Sequence, residues 1–319
     1  SIDIPSTITM NSDVIVPGRA YSAFVQVRDV FGDSATTASS FVHPDFTAPV
    51  AGRVADGLPS SLKPGSGSAA LLDVDVQSSW ASIGAHWTPW VDAESSVTSY
   101  QVCVGATPGQ DDIIACTDVG LKTHVLLPVP AGVQASLVAQ LTADAEAGSR
   151  ATRVYVVTVS AVNEHGLRSE AYSDGCIVDI TAPSAGEIRI IDPTITLASD
   201  AQLAQQQNWT THGRVLAAAW SGFDDLHSEI TNYKWCIGRM AGVCDVRAFA
   251  DVGTATFVRV EGIPSVDGDS LFVSVAAHDE AGWTVVASSA AQVVDTAAPL
   301  ASDIEFSTEH GLTVSGPER

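Results

Sequence analysis

The chain has 319 residues, 45% of them hydrophobic, with 37 acidic against 15 basic side chains and a formal net charge of −22. Such a surface repels nucleic-acid phosphates and anionic head groups, which excludes nucleic acid as a partner; it favours basic partners and divalent cations, and it also serves solubility. No stretch is apolar for long enough to insert into a membrane as a spanning helix.

In chain order, residues 21–49 come first, YSAFVQVRDVFGDSATTASSFVHPDFTAP. Tyr21, Ala23, Val25 and Val27 alternate with polar residues, the period of a half-buried strand. Asp29-Val30-Phe31-Gly32 is a turn whose glycine suits positive φ, and Thr47-Ala48-Pro49 is an edge or linker, since proline cannot donate to a ladder. Residues 58–70 are rich in Ser, Gly and Pro and read as a loop. Residues 82–87 form a strand ending in Trp87, and Tyr100 leads another, Tyr100-Gln101-Val102-Cys103-Val104. The Ala-rich middle of residues 128–148 predicts one or two helical turns in a loop insertion. From Tyr155 the chain repeats itself: residues 155–183, YVVTVSAVNEHGLRSEAYSDGCIVDITAP, align with residues 21–49 without a gap.

The earlier block then recurs. Residues 202–207 lie in a long loop, Val215–Trp220 is a strand ending in a large aromatic, and Tyr233-Lys234-Trp235-Cys236-Ile237 follows a polar turn. Residues 271–299 align with 21–49 and 155–183 at equal length. Repetition on this scale predicts an array of similar modules. Pro49, Pro183 and Pro299 mark equivalent starts. The expected division is therefore 1–48, the C-terminal part of a module; 49–182 and 183–298, two complete modules; and 299–319, the start of a further one. Chain ends inside modules suggest a segment of a longer polypeptide, or a processed subunit completed by neighbouring chains. Short apolar runs separated by turn clusters make the class all-β.

The succession of a Trp-ending strand, a Tyr-led strand, the turn Val16-Pro17-Gly18 before Tyr21, and Tyr155-x-Val157-x-Val159-x-Ala161-x-Asn163-x-x-Gly166 resembles the fibronectin type III pattern. That resemblance implies tandem immunoglobulin-like β-sandwiches. It makes Trp87 and Trp220 core residues, with Tyr100, Tyr233 and Tyr155 on neighbouring strands. The linker formula and the Asp-Val-Gly block at 118–120 and 251–253 are similar to repeats of large surface glycoproteins of algae and protists, ciliary mastigoneme proteins among them.

Cys103 with Cys116, and Cys236 with Cys244, bracket matching places in the two modules. This predicts two disulfides and an extracellular or cell-surface location. Cys176 is left over, either an intermolecular thiol or a small buried hydrophobe. Asn208-Trp209-Thr210 is an N-glycosylation sequon, so covalently attached glycan is expected at Asn208. Acidic residues gather in two loops, Asp92 with Glu94 and Asp224 with Asp225. Asp45, Asp179 and Asp295 recur at module starts, followed by Asp56 and Asp192. Two readings stand: solvated acids making Asx turns, or calcium ligands drawn from Asp92, Glu94, Asp224, Asp225, Asp179 and Asp295. No other cofactor is expected. The histidines, including His43, His86, His165, His212, His227 and His278, have no recurring Ser or Cys partner, so no enzyme is expected.

The function these features predict is structural: a building block of an extracellular fibre or cell-surface coat, contacting copies of itself or neighbouring surface proteins. The alternative is an adhesion or receptor ectodomain that binds a protein or glycan through its loop insertions.

Overall fold

The computed structural model describes residues 15–58, 73–149, 153–195 and 198–299. Most of the 58–70 loop and residues 300–319 of the expected further module lie outside the described residues. The chain divides into two units. Unit 1 holds residues 1–182 together with the loop segments Asp225–Glu229 and Glu280–Trp283, and unit 2 holds the remainder from Pro183.

Unit 1 opens with a hairpin of β1 (Phe24–Arg28) and β2 (Ser34–Ala38). Asp29 shapes its turn: Oδ1 accepts from the backbone N–H of Phe31 and of Asp33, both at 2.9 Å. Then come β3 (Val54–Asp56), β4 (Val76–Gln77), β5 (Ser82–Trp87), β6 (Val97–Gly105), β7 (Ile114–Gly120), β8 (His124–Pro128), α1 (Ala131–Glu146), β9 (Val154–Asn163), β10 (Arg168–Tyr172) and β11 (Cys176–Val178). One sheet has the order β3-β5-β8; the other runs β4-β11-β9-β6-β7, with β10 also on β9. This is a β-sandwich in which the short strand β4, which follows β3, pairs in parallel with the last strand, β11.

The core of unit 1 follows the period-two pattern. Tyr155, Val157, Val159 and Ala161 are buried on β9 against Trp80, Trp87, Trp90 and Tyr100. Tyr100 is held edge-on between Trp87 (centroids 5.6 Å) and Trp90 (6.0 Å) and accepts the Trp90 backbone N–H at 2.9 Å. Such aromatic pairs contribute about 0.5–1.5 kcal/mol beyond their buried area.

The expected one or two helical turns are a 16-residue helix, α1. Val133, Leu137 and Leu141 fall at intervals of four, so they share one face, and they pack on the core with Leu141 fully buried. Pro130 precedes the first turn, where its missing N–H costs nothing. Gly148, at φ +66°, ends the helix with its N–H on the Ala145 carbonyl.

Unit 2 repeats the plan: β12 (Glu187–Ile191), α2 (Ala198–Leu203), β13 (Trp209–Thr210), β14 (Val215–Ser221), β15 (Ile230–Gly238), β16 (Arg247–Asp251), β17 (Phe257–Glu261), β18 (Ser270–Asp279), β19 (Thr284–Ser288) and β20 (Gln292–Val294). Its sheets are β12-β14-β17 and β13-β20-β18-β15-β16, with β19 on β18 and β13 parallel to β20. Tyr233 lies between Trp220 (5.8 Å) and Phe223 (5.7 Å), so the aromatic clasp is repeated.

Candidate functional site: disulfides and buried acid clusters

Both expected disulfides are present. Cys103 on β6 joins Cys116 on β7, and Cys236 on β15 joins Cys244 in the following turn. The lone cysteine, Cys176, is fully buried on β11 and packs in the core of unit 1. Burial pushes its thiol up to about 12, against a hydrogen bond from Tyr155. Cys176 therefore takes the role of a small apolar residue, and its sulfur is not placed for a bond to another chain. Asn208 is exposed immediately before β13, as a glycan acceptor requires.

The loop acids separate into distinct clusters. In unit 1, Asp45, Asp92 and Glu94 bring one carboxylate oxygen each within 4.8 Å of the others. Their centre is Asn163, the last residue of β9 and itself buried. Its amide donates to Asp45 Oδ2 at 2.8 Å, to the Thr47 carbonyl at 3.2 Å and to Asp92 Oδ2 at 3.2 Å. Its Oδ1 accepts from the backbone of His165 at 3.1 Å and of Leu167 at 2.9 Å, shaping the β9–β10 turn. The Ser95 hydroxyl donates to Asp45 Oδ2 at 2.6 Å, and that of Thr47 donates to Glu94 Oε2 at 2.6 Å. His165 Nδ1 lies 3.5 Å from Asp45 Oδ2. Burial alone would raise Asp92; the N–H groups of Ser95 and Glu94 and the Asn163 amide outweigh it and hold the carboxyl below its ordinary range.

A second cluster in unit 1 brings together Asp179, Asp225 and His227, all three buried. Asp179 Oδ1 accepts from the Thr181 N–H and hydroxyl, both at 2.9 Å, and its Oδ2 accepts from the Ser228 hydroxyl at 2.5 Å. Asp225 Oδ1 accepts the His227 N–H at 2.8 Å and the Ser228 N–H at 3.2 Å. His227 Nδ1 sits 2.9 Å from the Thr181 hydroxyl and 3.5 Å from Asp179 Oδ1. Here burial wins. The Asp225 carboxyl is raised despite the two N–H groups, with the charge of Asp179 adding to the rise.

Of the expected ligand residues, Asp92 and Glu94 thus fall in one cluster, and Asp179 and Asp225 in another. Asp224 and Asp295 belong to neither. The Asp224 backbone carbonyl instead accepts the Ser184 N–H and hydroxyl, which turns the chain between the two adjacent aspartates. Asp295 is exposed at the end of β20. Sequence reasoning did not find Asn163 or His227 as cluster members. The repeated positions of Asp45 and Asp179 were the available signal, since each lies two residues before a Thr-Ala-Pro. The residues offer what a cation would need, oxygen ligands in one place, but their carboxylates are also well supplied with internal donors.

No protein-family model matches the chain, and no curated protein matches it. Among solved structures the chain is similar to fibronectin(III)-like modules of Clostridium thermocellum CbhA, at 13% identity over 76% of this chain and 94% of that one, with a TM-score of 0.35. It is similar also to a 1.5-MDa bacterial ice-binding adhesin, at 16% identity over 87% and 75% of the two chains, TM-score 0.39. The third is chicken CNTN1 domains FN1–FN3, at 11% identity over 86% and 79%, TM-score 0.30.

Proposed function

We propose that this chain is a non-enzymatic segment of an extracellular fibre or cell-surface coat, working through protein–protein contacts of repeated β-sandwich modules. The observation that carries the reading is the repetition of one stabilising plan. Each unit encloses a tyrosine between two aromatic rings, and each carries one disulfide on the strand that holds that tyrosine. Disulfides belong to an oxidising compartment. Among the described residues no helix is long and apolar enough to cross a membrane. Glycan at Asn208, self-association, and calcium at the Asp92–Glu94 and Asp179–Asp225 clusters are parts of this proposal. So is kinship with mastigoneme-type fibres.

An adhesive role is the second reading. It is favoured by features that differ between the units: among the described residues α1 has no counterpart in unit 2, and Trp209, the middle residue of the sequon, stands 65% exposed. Electron microscopy of native, unreduced material decides between them. Filaments with a regular axial repeat support the fibre; isolated monomers that associate only with an added protein or glycan ligand overturn it in favour of adhesion.

A further inference from the structure

A third group of acids lies in unit 1 and takes no part in the clusters above. Asp56 is the last residue of β3 and is completely buried. Asp73 precedes β4, and Asp174 lies between β10 and β11; both are exposed. One oxygen from each of the three lies within 4.8 Å of the others.

Two glycines bring the segments together. Gly57, at φ +81°, leaves the space a side chain would fill to Val74, which lets residues 73–74 close on β3. Asp73 Oδ1 then accepts the Asp56 N–H at 2.7 Å and the Val74 N–H at 3.2 Å. Gly175, at φ +104°, approaches Val154 too closely for a side chain and sends its N–H to Asp56 Oδ2 at 3.2 Å.

The decisive feature is the other oxygen of Asp56. Oδ1 is buried and makes no hydrogen bond. An ionised oxygen left so in a protein interior costs several kcal/mol, and native structures meet that cost with a proton, a donor or a cation. Among the described residues no ion pair reaches Asp56, Asp73 or Asp174.

We propose that Asp56, Asp73 and Asp174 form a calcium site, with the free Asp56 Oδ1 as its buried ligand. The donor set is three carboxylates without nitrogen or sulfur, which selects a hard cation. Calcium holds oxygens at roughly 2.3–2.6 Å, so ligands on opposite sides of the ion are at most about 5 Å apart, the span seen here. Magnesium keeps most of its water and seldom takes three carboxylates. The exposed side, at Asp73 and Asp174, admits the waters that complete six to eight ligands.

The test is calcium binding to the full chain by equilibrium dialysis and calorimetry near pH 7.5, with CaCl₂ as titrant and excess magnesium present. Asp73→Asn and Asp174→Asn are the principal variants, since both residues are exposed and the fold does not depend on burying them. Asp56→Asn is the third. The expected result is that each variant binds one calcium fewer than the wild type, or binds that equivalent at least about tenfold more weakly, since each removes one charged ligand. The other clusters stay intact in all three variants, so any binding there cancels in the comparison. An unchanged number and affinity of bound calcium in Asp73→Asn and Asp174→Asn overturns the proposal, as does a wild type that binds none.

Discussion

Replacing Asn163 tests the account of the first acid cluster most sharply. Its amide reaches two carboxylates and a carbonyl, and its oxygen takes two turn N–H groups. Asp45, whose side chain is wholly inaccessible, depends on that amide. In Asn163→Ala, Asp45 keeps the Ser95 hydroxyl and the Thr47 N–H, and Asp92 keeps two backbone donors. A hydrogen bond to a charged acceptor contributes about 1.5–3 kcal/mol, and an orphaned buried group costs about 1–3 kcal/mol. The sum is about 2.5–6 kcal/mol, a large part of the roughly 5–15 kcal/mol that holds a domain folded. For a unit of this size that lowers Tm by about 10 °C. Asn163→Asp is predicted to be worse at pH 7, because it replaces the donors by a third negative charge, and to recover below pH 4, where the new carboxyl can donate. Scanning calorimetry in EDTA reads the unit 1 transition, with unit 2 as internal control. A shift under about 2 °C for Asn163→Ala, or an Asn163→Asp protein as stable as wild type at pH 7, refutes the reasoning.

Four further outcomes follow from the same structure. Removing the Cys236–Cys244 disulfide by paired serine substitution frees a loop closed by a sequence separation of 8 and is expected to cost unit 2 about 2.5 kcal/mol by the loop-entropy relation, read as a lower urea midpoint; an unchanged midpoint contradicts it. Burial pushes the Cys176 thiol from its ordinary 9.0 up to about 12, so the folded state keeps its full stability below pH 9 and loses it as pH rises from 9 towards 12; at pH 10 the loss is about 1.4 kcal/mol, and Cys176→Ala removes this pH dependence. The same thiol should resist alkylation until the protein is denatured, and fast labelling of native protein would contradict its burial. Gly238→Ala would drive its Cβ into the Val243 backbone, so unit 2 is expected to lose at least about 2 kcal/mol, visible as a lower Tm.

The Trp–Tyr core pairs were legible because they are local: Trp87 to Tyr100 and Trp220 to Tyr233 have the same spacing, on strands with a clear period of two, whereas Trp90 and Phe223, which complete the clasps, were not singled out. The disulfides were legible for the same reason, each closing a short segment beside such a strand. α1 was underestimated because alanine-rich composition hides its short apolar stripe, and the stripe becomes decisive only once the core is there to receive it. Asn163 was legible only as a turn former. Its second role depends on Asp45, 118 residues away in sequence, reaching the end of β9. Nothing in the pair Asp224-Asp225 says which aspartate turns inward; the hydrogen bonds of Ser184 to the Asp224 carbonyl settle it. Asp56 was visible only as a repeated acid near a module start, since its burial comes from Gly57 and Gly175 folding two distant segments over it.

The parallel pairing of β4 with β11, and of β13 with β20, has a mechanical consequence. In unit 1, β4 and β11 are joined by the bonds of Ile177 to the Asp75 carbonyl and of Asp179 to the Gln77 carbonyl, and β13 and β20 are joined likewise in unit 2. Tension entering before β4 and leaving after β11 pulls these strands in opposite directions along their own length. Their cross-strand bonds are then loaded together in shear, whereas a hairpin pulled from its open end gives way one bond at a time. Each unit thus carries a clamp between its last strand and a strand near its start, where shear rather than peeling resists stretching, and in unit 1 one of the clamp bonds is made by Asp179 of the second acid cluster.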